Sequence, residues 1–167
     1  MTTRWLTPAE LAAWVRLAAV VELLPGILDT QLRRDAGLTH FEYFTLAMLS
    51  EAPERTLRMT TLAGLTNSTL PRLSHVISRL EQRGLIERIA CPEDKRATNA
   101  RLSEHGWDTI VAAAPGHVEN VRRHVIDALT PDQIGQLREI ADALLKRLDP
   151  KGRMTKGLLA PGHQPGE

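Results

Sequence analysis

The sequence predicts a mainly α-helical fold in which long helices at the two chain ends flank three short helices and a β-hairpin. Three observations carry this expectation. Apolar residues recur at helical spacing over long stretches at both ends; short, turn-rich joints separate three brief helical patterns in the middle; and two β-compatible runs flank a charged loop around Asp94, Lys95 and Arg96.

The first helix starts at Thr7, which caps it, with Pro8 in the first position and Glu10 three residues after the cap. Leu11, Trp14, Val15, Ala18, Val21, Leu24, Leu28 and Leu32 keep the helical period, and Gly37 ends the run. Pro25 and Gly26 interrupt it, and because proline cannot donate to the residue four back, a kink or short break is expected there. Three shorter patterns follow, Phe41 to about Ala52, Arg58 to about Leu65, and Leu70 to Arg83, the last closed by Gly84. "EAPERT" and "TNST" read as the turns between them. "LIERIA" and "NARL" then form a two-stranded hairpin with the charged loop at its tip. Ser103 restarts a helix carrying Trp107, Ile110, Val111, Val118, Val121, Val125 and Ile126, bent at Pro115 and Gly116. A last helix begins at Thr130 and Pro131 and carries Ile134, Leu137, Ile140, Ala141, Leu144, Leu145 and Leu148. The Gly- and Pro-rich residues 150–167 read as a flexible tail.

Composition narrows the function classes. At 167 residues and 43 % hydrophobic content the chain forms one folded unit with a full core. Its 21 basic and 20 acidic residues make any basic surface a matter of local arrangement. A single cysteine, Cys91, excludes an internal disulfide framework and suits a reducing compartment. No signal-peptide core is present at the N-terminus and no stretch approaches 18 uncharged apolar residues, so a cytoplasmic protein without a membrane partner is expected.

Three short helices followed by a hairpin make a winged helix-turn-helix, in which the later helix enters the major groove of double-stranded DNA and the hairpin lies along the adjacent backbone. The expected reading helix is "NSTLPRLSHVISRLEQRG", with Leu70, Leu73, Ile77 and Leu80 as its buried stripe. Arg72, Ser74, His75, Ser78 and Arg79 then lie on the exposed side or its margins, Pro71 is tolerated in the first turn, and Ser68 and Thr69 offer hydroxyls and free backbone donors to phosphate. Arg88, Lys95 and Arg96 complete the expected DNA contacts, Lys95 and Arg96 reaching phosphates or a minor groove from the hairpin tip. Asp94 is expected to pair with Arg96 or Arg101 and stiffen the wing. From Thr69 to Arg101 seven basic residues against four acidic ones leave a local charge of +3.

The wide apolar faces at both chain ends exceed what a compact three-helix core covers, so a second copy of the chain is expected to cover them. Residues 1–37 and 104–149 form this homodimerisation domain, and residues 38–103 the DNA-binding domain. A twofold dimer spaces its reading helices about 34 Å apart and matches a palindromic site.

The stretch "LAGLTNSTLPRLSHVISRLEQRGLIERIACPEDKRATNARLSEHG" resembles the core of the MarR (multiple antibiotic resistance regulator) family: a leucine-rich reading helix, Arg-Gly-Leu-hydrophobic-Glu-Arg over Arg83 to Arg88, Asp-x-Arg in the wing at Asp94 and Arg96, and an exit from Leu102 to Gly106. The likeness is strong over residues 58–106 and extends to about residues 8–148. It implies an obligate homodimer that regulates transcription, usually as a repressor released by a small-molecule effector. His75 departs from the pattern, which often has arginine or lysine there.

The same residues admit other readings. One sets the arginines against an acidic protein partner, making the winged-helix dimer a protein-interaction module. Cys91 suggests a redox-sensing regulator, but no flanking cation is fixed beside it in the sequence and no second cysteine exists to resolve a sulfenic acid. His40, His75, His105, His117, His124 and His163 lack tight ligand spacing, so no metal and no cofactor is expected. Paired carboxylates, a nucleophile elbow and a glycine-rich phosphate loop are missing, which argues against an enzyme. Trp14, Leu17, His40, Phe41 and Tyr43 are the candidates to line an effector cleft between the dimer helices and the reading domain.

Overall fold

A computed structural model describes residues 2–155 of the chain. Six helices and three strands follow in the order α1 (Pro8–Ala36), α2 (His40–Glu51), β1 (Thr56–Arg58), α3 (Met59–Leu65), α4 (Leu70–Gln82), β2 (Ile86–Cys91), β3 (Asp94–Leu102), α5 (Glu104–His124) and α6 (Pro131–Leu148). The mainly α, winged helix-turn-helix architecture is the one expected.

Helix ends follow the local chemistry of the sequence. Thr7, Thr39 and Thr130 each close a capping box, with Glu10, Glu42 and Gln133 returning the bond to the cap's own N–H. Thr69 and Ser103 accept from the backbone N–H of Arg72 and Gly106 and so cap α4 and α5. After α4 the chain turns through Gly84 at φ 73°, a left-handed conformation that costs glycine little.

Three expectations are corrected. α1 runs unbroken through Pro25, because a proline removes only one hydrogen bond and both it and Gly26 face open space. The hairpin is part of a three-stranded antiparallel sheet of order β1-β3-β2, with Thr56 opposite Arg101 and Arg58 opposite Asn99; β1 runs from the end of the joint read as a turn to Arg58, which was expected to start a helix. The charged loop is also much shorter than expected. Only Pro92 and Glu93 form the turn, so Lys95 and Arg96 lie on the first residues of β3 and not at the tip. Cross-strand pairing extends until a bulge at Ala90 and Cys91.

Leu32, Leu38, Leu46, Leu49, Leu62, Leu73, Ile77, Leu80, Leu85 and Ile86 form a fully buried core. It belongs to the winged unit and the carboxyl end of α1, where only Leu28, Gln31 and Leu32 of that helix are buried. Two consecutive left-handed residues, Glu54 and Arg55, lead into β1. This conformation is held from outside, since the Arg55 guanidinium stacks 3.9 Å from the Trp107 ring centroid and pairs with Glu104 at 3.1 Å.

The remaining helical surface is bare. Among the described residues α6 has no buried residue and packs closely on no other element. Trp14, Val15, Leu17, Val20, Val21 and Leu23 are exposed along α1. By length and composition α1 could cross a membrane, with mean hydropathy 1.8 over its most apolar window, although Arg16 and Glu22 interrupt the apolar run. Of the expected tail, residues 150–155 form a turn closed by Asp149, which accepts from the backbone N–H of Arg153, Met154 and Thr155; the rest, with His163, lies outside the described residues.

Candidate nucleic-acid interface

α4 presents three different sides. Leu73, Val76, Ile77 and Leu80 enter the core. On one flank Arg72 lies 4.6 Å from the Phe41 ring centroid, and Arg79 and Arg83 reach the buried carboxylate of Glu42 at 3.3 Å and 3.7 Å. On the other flank Arg88 of β2 donates through Nη2 to Ser74 O at 2.9 Å, Ser74 Oγ at 3.1 Å and Ser78 Oγ at 3.0 Å. Its Nη1 meets Glu81 at 2.7 Å while its backbone N–H donates to the other Glu81 oxygen at 3.1 Å, and this backbone bond is the chief reason the Glu81 carboxyl is held below its ordinary range. Arg88, Ser74 and Ser78 therefore fasten the wing to the reading helix.

Between these flanks α4 exposes the row Pro71, His75 and Gln82, with Ser78 at its edge. Gln82 was not among the expected contacts, yet its position eleven residues after Pro71 on the same row was available from helical periodicity. An open cleft of about 390 Å³ separates α4 from the wing, lined among others by Arg58, Thr60, Pro71, Ser74, Arg88 and Arg96. Arg58 and Thr60 were also missed: Arg58 ends β1, which was not recognised, and Thr60 lies on α3, which was not read as facing the wing. At the amino end, Thr69 is exposed and caps α4, while Ser68 Oγ donates to the Thr69 carbonyl at 3.2 Å.

The wing braces differ from the expected ones. Asp94 accepts from the backbone N–H of Arg96 at 3.0 Å and so closes the turn locally. Arg101 pairs with Glu87 at 2.7 Å, across the strands where their register places them, and not with Asp94 at the far end of β3. Lys95 and Arg96 are exposed and form no ion pair among the described residues. Arg58 Nη2 lies 3.4 Å from the Sγ of Cys91, correcting the expectation that no cation stands beside this thiol. That bond, ahead of backbone N–H donors at Glu93 and Asp94, pushes the thiol's pKa down, while burial of Cys91 limits access to it.

The expected effector-lining residues separate. His40 and Tyr43 pack on His117 of α5. Phe41 turns instead toward Arg72. Trp14 and Leu17 lie on the exposed half of α1, eleven or more residues before Leu28, where that helix becomes buried. His117 was missed as a member of this group, although Ile110, Ala113 and His117 form one inward row.

A three-helix unit with a winged sheet, a polar row outermost on its last helix and two unpaired cations on the wing defines a winged helix-turn-helix protein. The MarR family profile matches residues 38–98. The chain is 44 % identical to Sco3205, a MarR family transcriptional regulator from Streptomyces coelicolor solved in complex with DNA, over 89 % of this chain and 93 % of that one, with a TM-score of 0.86. It is 40 % identical to AbsC, a MarR family regulator from the same organism, over 87 % and 98 % of the two chains, with a TM-score of 0.83. CouR from Rhodococcus jostii RHA1, solved with p-coumaroyl-CoA bound, shares the fold at 22 % identity over 80 % and 90 % of the two chains, with a TM-score of 0.69. The chain belongs to the MarR family of transcriptional regulators.

Proposed function

We propose that the protein is a cytoplasmic homodimer that binds a palindromic site in double-stranded DNA and represses transcription until a small-molecule effector releases it. The observation that carries the DNA reading is the solvent-facing row Pro71, His75 and Gln82 beside a wing whose Lys95 and Arg96 are unpaired among the described residues. Pro71, His75, Ser78 and Gln82 read base edges, Lys95, Arg96, Ser68 and Thr69 hold phosphates, and Arg72, Arg79, Ser74, Arg88, Asp94 and Arg101 position these groups. The 44 % identity to a regulator solved on DNA supports this assignment. Binding, with no catalytic step, is the whole of the activity.

The test is a salt titration on duplex DNA. Affinity should fall steeply as salt rises, and K95A/R96A should weaken all sequences alike and flatten the slope by roughly one unit for each phosphate left without its cation. Indifference to DNA at low salt favours the protein-interaction reading.

The second copy is supported by the apolar faces of α1 and α6, which nothing among the described residues covers. Residues 2–37 and 104–149 supply the dimerisation helices and residues 38–103 the DNA-binding lobe. Ile140 and Leu144 are exposed on α6, so I140D/L144D places two carboxylates in the interface. Sedimentation should show a dimer for the parent chain and a monomer for the variant, with DNA affinity reduced at least tenfold, on the order of 1.4 kcal/mol. A parent chain that is monomeric at micromolar concentration overturns the palindrome as well. The effector is proposed to enter at the junction of α1, α2 and α5, near His40 and Tyr43.

A further inference from the structure

Where α1, α2 and α5 meet lies a group of polar side chains that DNA binding does not use. Gln31 of α1 is 6 % exposed and its Oε1 has no hydrogen-bond partner among the described residues; His117 Nδ1 on α5 is likewise buried and unpartnered among them. The His117 ring lies 4.4 Å from that of Tyr43 and 6.3 Å from that of His40, both on the first turn of α2. Gly116 lets α5 approach closely, since a Cβ there would stand 3.2 Å from Gln31 Nε2. A buried polar atom without a partner is costly, so the balance here responds to a single added proton.

The same turn of α2 also holds the reading helix. Phe41 lies under the guanidinium of Arg72, and Glu42 binds Arg79 and Arg83 through its two oxygens while also accepting the backbone N–H of Thr39 at 2.8 Å. His40, Phe41 and Glu42 are consecutive, so one helical turn touches α5 on one side and α4 on the other.

We propose that the His40–His117 pair is a proton-sensitive junction: neutral, it seats the first turn of α2 on α5 and fixes α4 against the dimer helices; protonated, it unseats that turn and weakens DNA binding. The inference rests on the DNA-binding reading above and assigns its regulation. Two imidazolium charges with ring centres 6.3 Å apart repel in a half-buried site. The titratable and charged groups beside the pair are Asp29 of α1, which accepts the His40 N–H, Asp35 of α1, which accepts from Gln31, and Tyr43 of α2; Glu42 turns to Arg79 and Arg83. The carboxylates are already engaged, Asp29 by Arg33 and the backbone N–H of His40, Asp35 by Arg34 and Gln31, and Glu42 by Arg79 and Arg83.

Burial lowers the pKa of both rings; His40 lowers that of His117 further, whereas Asp29 partly restores that of His40. The pair therefore prefers to be neutral when packed. Packing is intact above the unfolded histidine value of about 6.5 and is lost as pH falls from there through the lower folded values.

The test uses the full chain and a duplex that the protein itself selects from a random pool at about pH 7.5. Between about pH 7.5 and 5.5 at constant ionic strength, wild-type affinity should fall about tenfold, and that of H40Q/H117Q much less. His75 is retained in both proteins, so its contribution is common to the comparison. Equal pH dependence in the two overturns the inference alone; a chain that selects no duplex at about pH 7.5 overturns the DNA reading and this inference with it. Should the double variant not fold, ring-proton NMR of the wild type decides. Midpoints for His40 and His117 below about 6.5 support the junction, and midpoints at or above that value overturn it.

Discussion

Gly106→Ala should lower stability by about 3 kcal/mol and the melting temperature by roughly 6–12 °C. Gly106 lies in the first turn of α5, where Ser103 caps the helix and ties it to the end of α4 by donating to the Gly84 carbonyl at 2.6 Å. A Cβ at position 106 would stand 2.1 Å from the Leu85 carbonyl oxygen and 2.6 Å from Leu102 Cδ1. The leucine methyl can yield, but the carbonyl belongs to backbone whose oxygen also accepts from the Ser103 N–H at 3.0 Å. Relief must therefore move α5 away from the core it joins to α1. Calorimetry on G106A checks this, with G26A as the control: position 26 has nothing within 4 Å and lies inside a helix, so alanine there should stabilise by about 0.5–1 kcal/mol. A G106A melting point within a degree or two of the parent would contradict the geometry.

The second large effect is expected at Arg88. Truncation to alanine removes a guanidinium that joins Ser74, Ser78 and Glu81 of α4 to β2, at a cost of about 2 kcal/mol. It also frees the wing from the reading helix. DNA affinity should then drop about tenfold on every sequence, through positioning and not through lost readout, so relative preference among duplexes should be unchanged. Arg88→Lys should rescue little, because one ammonium cannot reproduce the planar fork that spans two serines and a carboxylate. Binding assays on a panel of duplexes check the point; an altered base preference would mean that Arg88 meets DNA directly.

Much of the fold is legible along the chain because its signals are local. Threonine caps with a carboxylate or amide three residues on, apolar stripes at helical spacing and Gly84 after Leu80 each depend on a few neighbouring residues. β1 is not legible in this way, because three residues carry no periodicity and their strand character comes from pairing with β3, more than forty positions away. The hairpin tip differs from expectation for the same reason: Asp94 to Thr98 is mostly polar, and its strand character comes from the pairing of Asp94 with Cys91 and Thr98 with Ala90 across the irregularity.

The sequence by itself determined the order of the six helices, the β2–β3 hairpin and the apolar faces of the end helices, since each follows from residue spacing within one element. Tertiary structure alone decided which cations remain free. Helical periodicity fixes the angle at which a side chain leaves its helix but not what neighbouring elements bring to meet it: Glu42 and Phe41 of α2 take Arg79, Arg83 and Arg72, and β2 brings Arg88 onto the serines. Charge that looked available for phosphate is thereby paired within the protein, although Arg72, Arg79 and Arg83 keep exposed surface, and His75, Gln82, Lys95 and Arg96 face outward without such a partner among the described residues.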